Sequence, residues 1–208
     1  MPFEDIRSLV GSIPGTQGRP DYSERLYHIS ESLASTKLIV EIGSFVGGSS
    51  ICLAHPHLMK HDFTILCIDL RYLSYEELNS RSNEFAANDL ADSMEAQMRD
   101  GTFLHDMYHH IQFVRGEGRI IPIPGFSEDV YARFDHRPVD ICYIDGSHQY
   151  EAVKKDVRFL EDVRIGGYAI FDDWINVVEQ AVNEYFSSHG GGWKLVDDQF
   201  PRWFRRDS

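Results

Sequence analysis

Lys37-Leu-Ile-Val-Glu-Ile-Gly-Ser-Phe-Val-Gly-Gly-Ser-Ser50 is the stretch on which the fold turns. Its apolar run reads as a strand over residues 37–41 that is covered on both faces, as in a parallel sheet. The strand ends on an acid, Glu41. A Gly-x-x-x-Gly turn (Gly43 to Gly47) follows, and serines then open a helix near Ser49. Glycines at these positions permit tight backbone geometry and let a ligand lie against bare main chain. Pro56 removes a backbone donor and predicts an early end to that helix.

Outward from this unit, strands alternate with helical segments, the pattern of a mostly parallel α/β sheet. Further strands are predicted over 63–69, 119–123, 139–144 and 168–171. A closing pair over 193–196 and 202–205 reads as a hairpin. Helices are predicted over 21–36, 150–163 and 175–187, with Gly166 and Gly167 ending the second of these. Residues 1–20 hold six glycines and prolines, so a loosely structured arm is expected there. Residues 71–110 are longer than a plain connection needs. They read as a helical insertion, part of it a lid. The expectation is one domain over 1–208, with 1–36 as arm and helix. Its fold class is a three-layer α/β/α sandwich around a seven-stranded, mostly parallel sheet with a C-terminal antiparallel hairpin strand.

Composition narrows the function. The 208 residues carry a formal net charge of −13, which repels phosphate backbones and argues against nucleic acid. The arginines Arg202, Arg205 and Arg206 read as a solvated end rather than a basic face, and His109 and His110 as surface residues. Cys52, Cys67 and Cys142 lack metal-type spacing, and their odd number does not suit a disulfide framework; Cys67 and Cys142 lie in apolar runs and read as reduced core residues. No apolar run approaches a membrane span, and the first residues lack a basic-then-apolar leader pattern. A cytoplasmic protein acting on a small molecule is expected, with homo-oligomer formation left open.

The chemistry is carried by acids at strand ends. Asp69 closes the second strand 28 residues after Glu41, where a carboxylate can accept hydrogen bonds from both hydroxyls of a ribose. A nicotinamide dinucleotide site would need Gly-x-Gly-x-x-Gly, but Phe45 stands at the second glycine and Glu41 would repel a pyrophosphate. An acid there favours a ligand with an amino group, such as a methionine moiety, and so S-adenosylmethionine. A tight turn that binds nothing is the bland alternative. Asp145 ends the fourth strand; Asp172 and Asp173 end the fifth. On neighbouring strands about 4.8 Å apart these three carboxylates converge, and a hard cation such as Mg²⁺ suits them. Helix capping explains each acid singly but not their convergence. His148, three residues past Asp145, can take a proton from a substrate hydroxyl; the bland alternative is an exposed histidine at a helix start.

Three blocks together resemble the class I S-adenosylmethionine methyltransferases: Val40-Glu-Ile-Gly-Ser-Phe, Ile144-Asp-Gly-Ser-His-Gln-Tyr and Gly166-Gly-Tyr-Ala-Ile-Phe-Asp-Asp173. The nearest group is the small family whose fourth strand ends in Asp-Gly-x-His-x-Tyr, related to metal-dependent sugar O-methyltransferases. The resemblance implies that Glu41, Gly43, Ser44, Phe45, Gly47, Ser49, Asp69, Ser127 and Asp145 bind the cofactor. It implies Asp145, Asp172 and Asp173 as Mg²⁺ ligands, and His148 with Asp145 as the catalytic pair. Gly125-Phe-Ser127 is similar to the loop that approaches the adenine. The chain departs from the group in its long 71–110 segment, in Pro56, and in Asp172 where relatives often have Glu. Hydroxylase-like chemistry on the same fold, or a module that binds the cofactor without catalysis, are the alternatives.

Overall fold

The computed structural model describes residues 2–60, 62–79, 101–189 and 192–208. Seven strands form one sheet: β1 (Leu38–Ile42), β2 (Thr64–Asp69), β3 (Ile120–Pro124), β4 (Val139–Ile144), β5 (Val163–Phe171), β6 (Trp193–Asp197) and β7 (Arg202–Arg206). Their order is β3-β2-β1-β4-β5-β7-β6; β7 runs antiparallel to both β5 and β6, and the other pairings are parallel.

Alternation along the strands splits the core into two layers. On one face Ile39, Ile65, Ile141 and Tyr143 meet α1 (Glu4–Val10), α2 (Pro20–Glu31), α3 (Gly48–Ala54) and α5 (Thr102–Phe113) through Ile6, Leu26, Ile51 and Met107. On the other, Val40, Ile42, Cys142 and Ile144 meet α6 (Ser127–Tyr131), α7 (Tyr150–Asp156) and α8 (Asn176–Ser188) through Tyr131, Val153, Val178 and Val182. The short α4 (Tyr75–Asn79) follows β2. The central part of the 71–110 insertion, residues 80–100, lies outside the described residues; α4 and α5 flank it. All three cysteines are free and buried. Among the described residues, no helix is long and apolar enough to cross a membrane.

Four expectations are corrected. Residues 1–20 are not a loose arm: α1 buries Ile6 and Val10, and Phe3 and Ile13 beside it are buried too. That apolar spacing outweighs the nearby glycines and prolines. Gly166 and Gly167 do not end a helix. The α7 helix stops at Asp156, a 3₁₀ turn covers Val157–Asp162, and both glycines lie within β5. There the register against β4 shifts, the usual place for glycine in a strand. His110 is half-buried, its Nδ1 2.7 Å from the Val46 carbonyl. The C-terminal arginines also do more than face solvent: Arg206 donates to the carbonyls of Glu161 and Leu160 at 3.0 and 3.3 Å.

Candidate active site

The sheet register sets out the site. Ile42 pairs with Ile68 on one side and Ile144 on the other, and Ile144 pairs with Phe171. The next residues along, Gly43, Asp69, Asp145 and Asp172, therefore fall in one row across the carboxyl ends of four parallel strands. The ladder extends into this row: Gly43 N donates to Ile68 O at 2.9 Å, Asp145 N to Ile42 O at 2.8 Å and Asp172 N to Ile144 O at 3.1 Å. The row lies where strand order reverses, with β2 and β4 on opposite sides of β1. Open α/β sheets bind ligands in that crevice.

The glycine loop is held from below. Phe45 adopts φ +49°, a left-handed conformation that costs a non-glycine residue about 1–2 kcal/mol. Two bonds offset this: Phe45 N donates to Asp69 Oδ2 at 2.7 Å, and Tyr72 OH donates to Phe45 O at 2.6 Å. Gly47 admits Met107 of α5, whose Sδ would stand 2.3 Å from any Cβ there. The far end of the 71–110 excursion thus packs on the loop.

Glu41 is fully buried. Its carboxylate accepts hydrogen bonds from Ser49 Oγ at 2.5 Å and from Ser50 Oγ. Burial pushes its carboxyl up to about 7. It stands behind the cavity wall, while Ser49, which it holds, is in the wall.

Two cavities open over the row. The larger, about 460 Å³, runs from Asp69 and Leu70 past Phe126 and Ser127 to Asp156. The smaller, about 260 Å³, lies between the glycine loop (Gly43, Ser44, Phe45) and residues of the N-terminal segment. They share Gly43, Arg71, Gly146 and His148, so a ligand spanning both would cross the site beside His148. The larger alone lies within the ~300–1,000 Å³ usual for small-molecule pockets.

The acids beside this junction do not all face one way. Donor atoms of Asp145, His148 and Asp173 lie within 4.8 Å of one another, and His148 Nε2 is 2.9 Å from Asp173 Oδ2. Asp172 is not in this group. Tyr22 OH and Tyr143 OH donate to its Oδ1, the second at 3.3 Å. Successive strand residues point to opposite sides, and Asp172 and Asp173 follow that rule at the end of β5. Burial raises the carboxyls of both Asp145 and Asp172, and neighbouring acids add to this: chiefly Asp172 for Asp145, and Asp173 for Asp172. The concentrated negative charge favours a cationic ligand group.

Residues that sequence reasoning did not single out complete the walls. Tyr22 and Tyr143 share a 2.5 Å bond, and both line the smaller cavity. Arg71 lies in both walls, its Nη1 3.2 Å from Asp69 Oδ2. Asp156 is buried and accepts from Ser127 Oγ. Burial pushes its carboxyl up to about 7, against the Ser127 hydroxyl, which lowers it. Between the ordinary carboxyl value and 7 the folded protein keeps a proton that the unfolded chain releases. This contribution to stability is therefore full below about pH 4 and lost as pH rises through 7. Asp156→Asn is expected to flatten that fall: between pH 5 and 8 its unfolding free energy should drop by about 2–3 kcal/mol less than the parent's. Urea unfolding at the two pH values checks this, and parallel losses in both proteins would contradict it.

Strand order and acid row together define a class I S-adenosylmethionine-dependent methyltransferase fold. The family model described as "Methyltransferase domain" matches residues 40–174, and the chain belongs to that family. The chain is similar in structure to the O-methyltransferase NovP, with a TM-score of 0.68 at 18% identity over 99% of this chain and 88% of that one. It is similar to the O-methyltransferase TomG from Streptomyces achromogenes, involved in tomaymycin synthesis and solved in complex with S-adenosylmethionine. There the TM-score is 0.60 at 14% identity, over 99% and 87% of the two chains. In sequence it is 29% identical over 171 residues to an uncharacterised protein of Acanthamoeba polyphaga mimivirus, covering 76% of this chain. The chain spans 65% of that relative's length.

Proposed function

We propose that this chain transfers the methyl group of S-adenosylmethionine to a hydroxyl oxygen of a small acceptor. The observation that carries this reading is the register row that sets Gly43, Asp69 and Asp145 under two cavities that meet at His148. The similarity to NovP and TomG, both O-methyltransferases, supports oxygen as the acceptor atom, and TomG's part in tomaymycin synthesis makes a natural product a fitting class.

When bound, the donor supplies an electrophilic methyl on a sulfonium. The chain's residues do the rest. Asp69 offers carboxylate lone pairs to the ribose hydroxyls in the larger cavity, and Ser127 with Phe126 borders the adenine. Gly43, Ser44 and Phe45 present bare or constrained main chain to the methionine part, and Gly47 lets Met107 pack on the loop behind them. Glu41 fixes Ser49 beneath the loop. Asp145 faces the cationic end of the donor. His148 removes the acceptor's proton. Its Nε2 is engaged with Asp173, which leaves Nδ1 as the basic nitrogen. Holding donor and acceptor in line provides much of the acceleration.

Two carboxylates and an imidazole suit a divalent cation. The structure presents this donor set as Asp145, Asp173 and His148, not as the three aspartates. If His148 serves as base, Asp145 and Asp173 would hold Mg²⁺, which would lower the hydroxyl's pKa. Calorimetric titration with Mg²⁺ should then show Asp173→Asn weakening binding more than about tenfold, with Asp172→Asn weakening it far less. Equal losses would restore Asp172 to the ligand set.

The reading as a whole is tested by titrating S-adenosylmethionine, followed by mass spectrometry of a panel of sugars, phenols and other hydroxyl compounds. A product heavier by one methylene unit is expected. Tight binding with no methylated product from any acceptor would point instead to a cofactor-binding module.

A further inference from the structure

We propose that Arg19 holds the carboxylate of the donor's methionine moiety; the assignment rests on the S-adenosylmethionine reading above. Arg19 is the residue on which α2 begins, and it lies in the wall of the smaller cavity with Thr16, Ser44 and Ser49. Its guanidinium is seated by aromatic rings, 4.0 Å from the Tyr22 centroid and 5.4 Å from that of Phe200. Stacking fixes its position without using its N–H groups. Its charged neighbour is Asp172, and Nη2 stands 3.8 Å from an Oδ1 that already receives two phenol hydroxyls. That distance is too long for a hydrogen bond. An arginine carries five donors in a planar fork that matches a carboxylate. Here the fork is positioned and its donors remain available.

Among the described residues, the other arginine of that wall is committed elsewhere. Arg71 pairs with Asp69 and lies over the Phe45 ring at 5.4 Å. A methionine zwitterion also needs opposite charges at its two ends. Asp145 in the same wall suits the ammonium and would repel the carboxylate. Arg19, on the N-terminal segment of the same wall, offers the carboxylate a complementary charge. The N-terminal segment thereby becomes part of the cofactor site instead of a scaffold beside it.

Two probes that differ by this one group test the assignment: S-adenosylmethionine and decarboxylated S-adenosylmethionine, titrated calorimetrically into the parent protein, Arg19→Ala and Arg19→Lys. The parent should prefer the carboxylated probe by about 10- to 100-fold, the range of a charge-assisted pair. Arg19→Ala should bind the two probes within about threefold of each other, at the parent's affinity for the decarboxylated one. Arg19→Lys should keep a reduced preference, because a point charge replaces the fork. Each preference is a ratio within one variant, so a general loss of folding does not mimic the result. Equal affinities in the parent, or an undiminished preference in Arg19→Ala, would overturn the proposal while leaving the cofactor site standing. A folded parent that bound neither probe would remove the cofactor reading and this proposal together.

Discussion

Replacing His148 with alanine is expected to lower kcat by about 10²- to 10⁴-fold, the usual worth of a positioned general base. S-adenosylmethionine affinity should stay within about threefold of the parent's. The expectation comes from placement. His148 lies where the two cavities meet, its side chain is 47% exposed, and it packs in neither core layer, so its loss should leave the fold intact. Asp173→Asn keeps the ring and removes the charge on its orienting acceptor. It should cost less, roughly 10- to 100-fold in kcat. Steady-state kinetics on an acceptor found by the product panel, with calorimetry for the donor, separates the two effects. Added imidazole should restore part of the His148→Ala rate, because the cavity left is open to solvent. Full turnover by His148→Ala would remove the base assignment.

The parts of this site that were readable in the sequence are those written locally. Residues 37–41 announce a doubly covered strand because Leu38, Ile39 and Val40 are all apolar before Glu41, and Asp69, Asp145 and Asp172 stand where the apolar runs of the later strands stop. What was not readable depends on distant chain. Tyr22 reaches Asp172 across 150 positions, and the role of Arg19 depends on a ring at Phe200. The direction of two adjacent acids was also hidden: the same Asp-Asp pair that reads as a joint ligand set splits in the fold, Asp172 to the tyrosines and Asp173 to His148. The first helix shows a different failure. Gly11, Pro14, Gly15 and Gly18 suggested looseness, but Phe3, Ile6 and Val10 already carried helical spacing, and burial under α2 and α3 decided the matter. Asp156 shows the limit most simply. Its residue type carries no sign of its place, and only the packing of α6 against α7 turns it into a buried partner of Ser127.

Gly43→Ala should have a large structural effect, for two separable reasons. Gly43 sits at φ +85°, which costs alanine about 1–2 kcal/mol. A Cβ there would also lie 2.0 Å from Asp145 O and 2.9 Å from Gly146 N. Those atoms are main chain, and the ladder bond from Asp145 N to Ile42 O at 2.8 Å holds them in place. They can yield only by parting the ends of β1 and β4. Overpacking of this kind adds about 1–3 kcal/mol, so the total is roughly 2–5 kcal/mol, or about 5–15 °C in Tm for a chain of this size. The same parting would displace Asp145 and the shared wall of the two cavities, so donor affinity should fall by more than about 100-fold. Gly118→Ala isolates the backbone cost, since Gly118 has φ +73° and a Cβ there would meet nothing within 4 Å. It should cost about 1–2 kcal/mol and leave donor binding unchanged. Thermal melts and calorimetry on the pair decide the matter. If both variants lost the same stability and both kept the donor, the close contact of Gly43 with the Asp145–Gly146 main chain would not be what shapes this pocket.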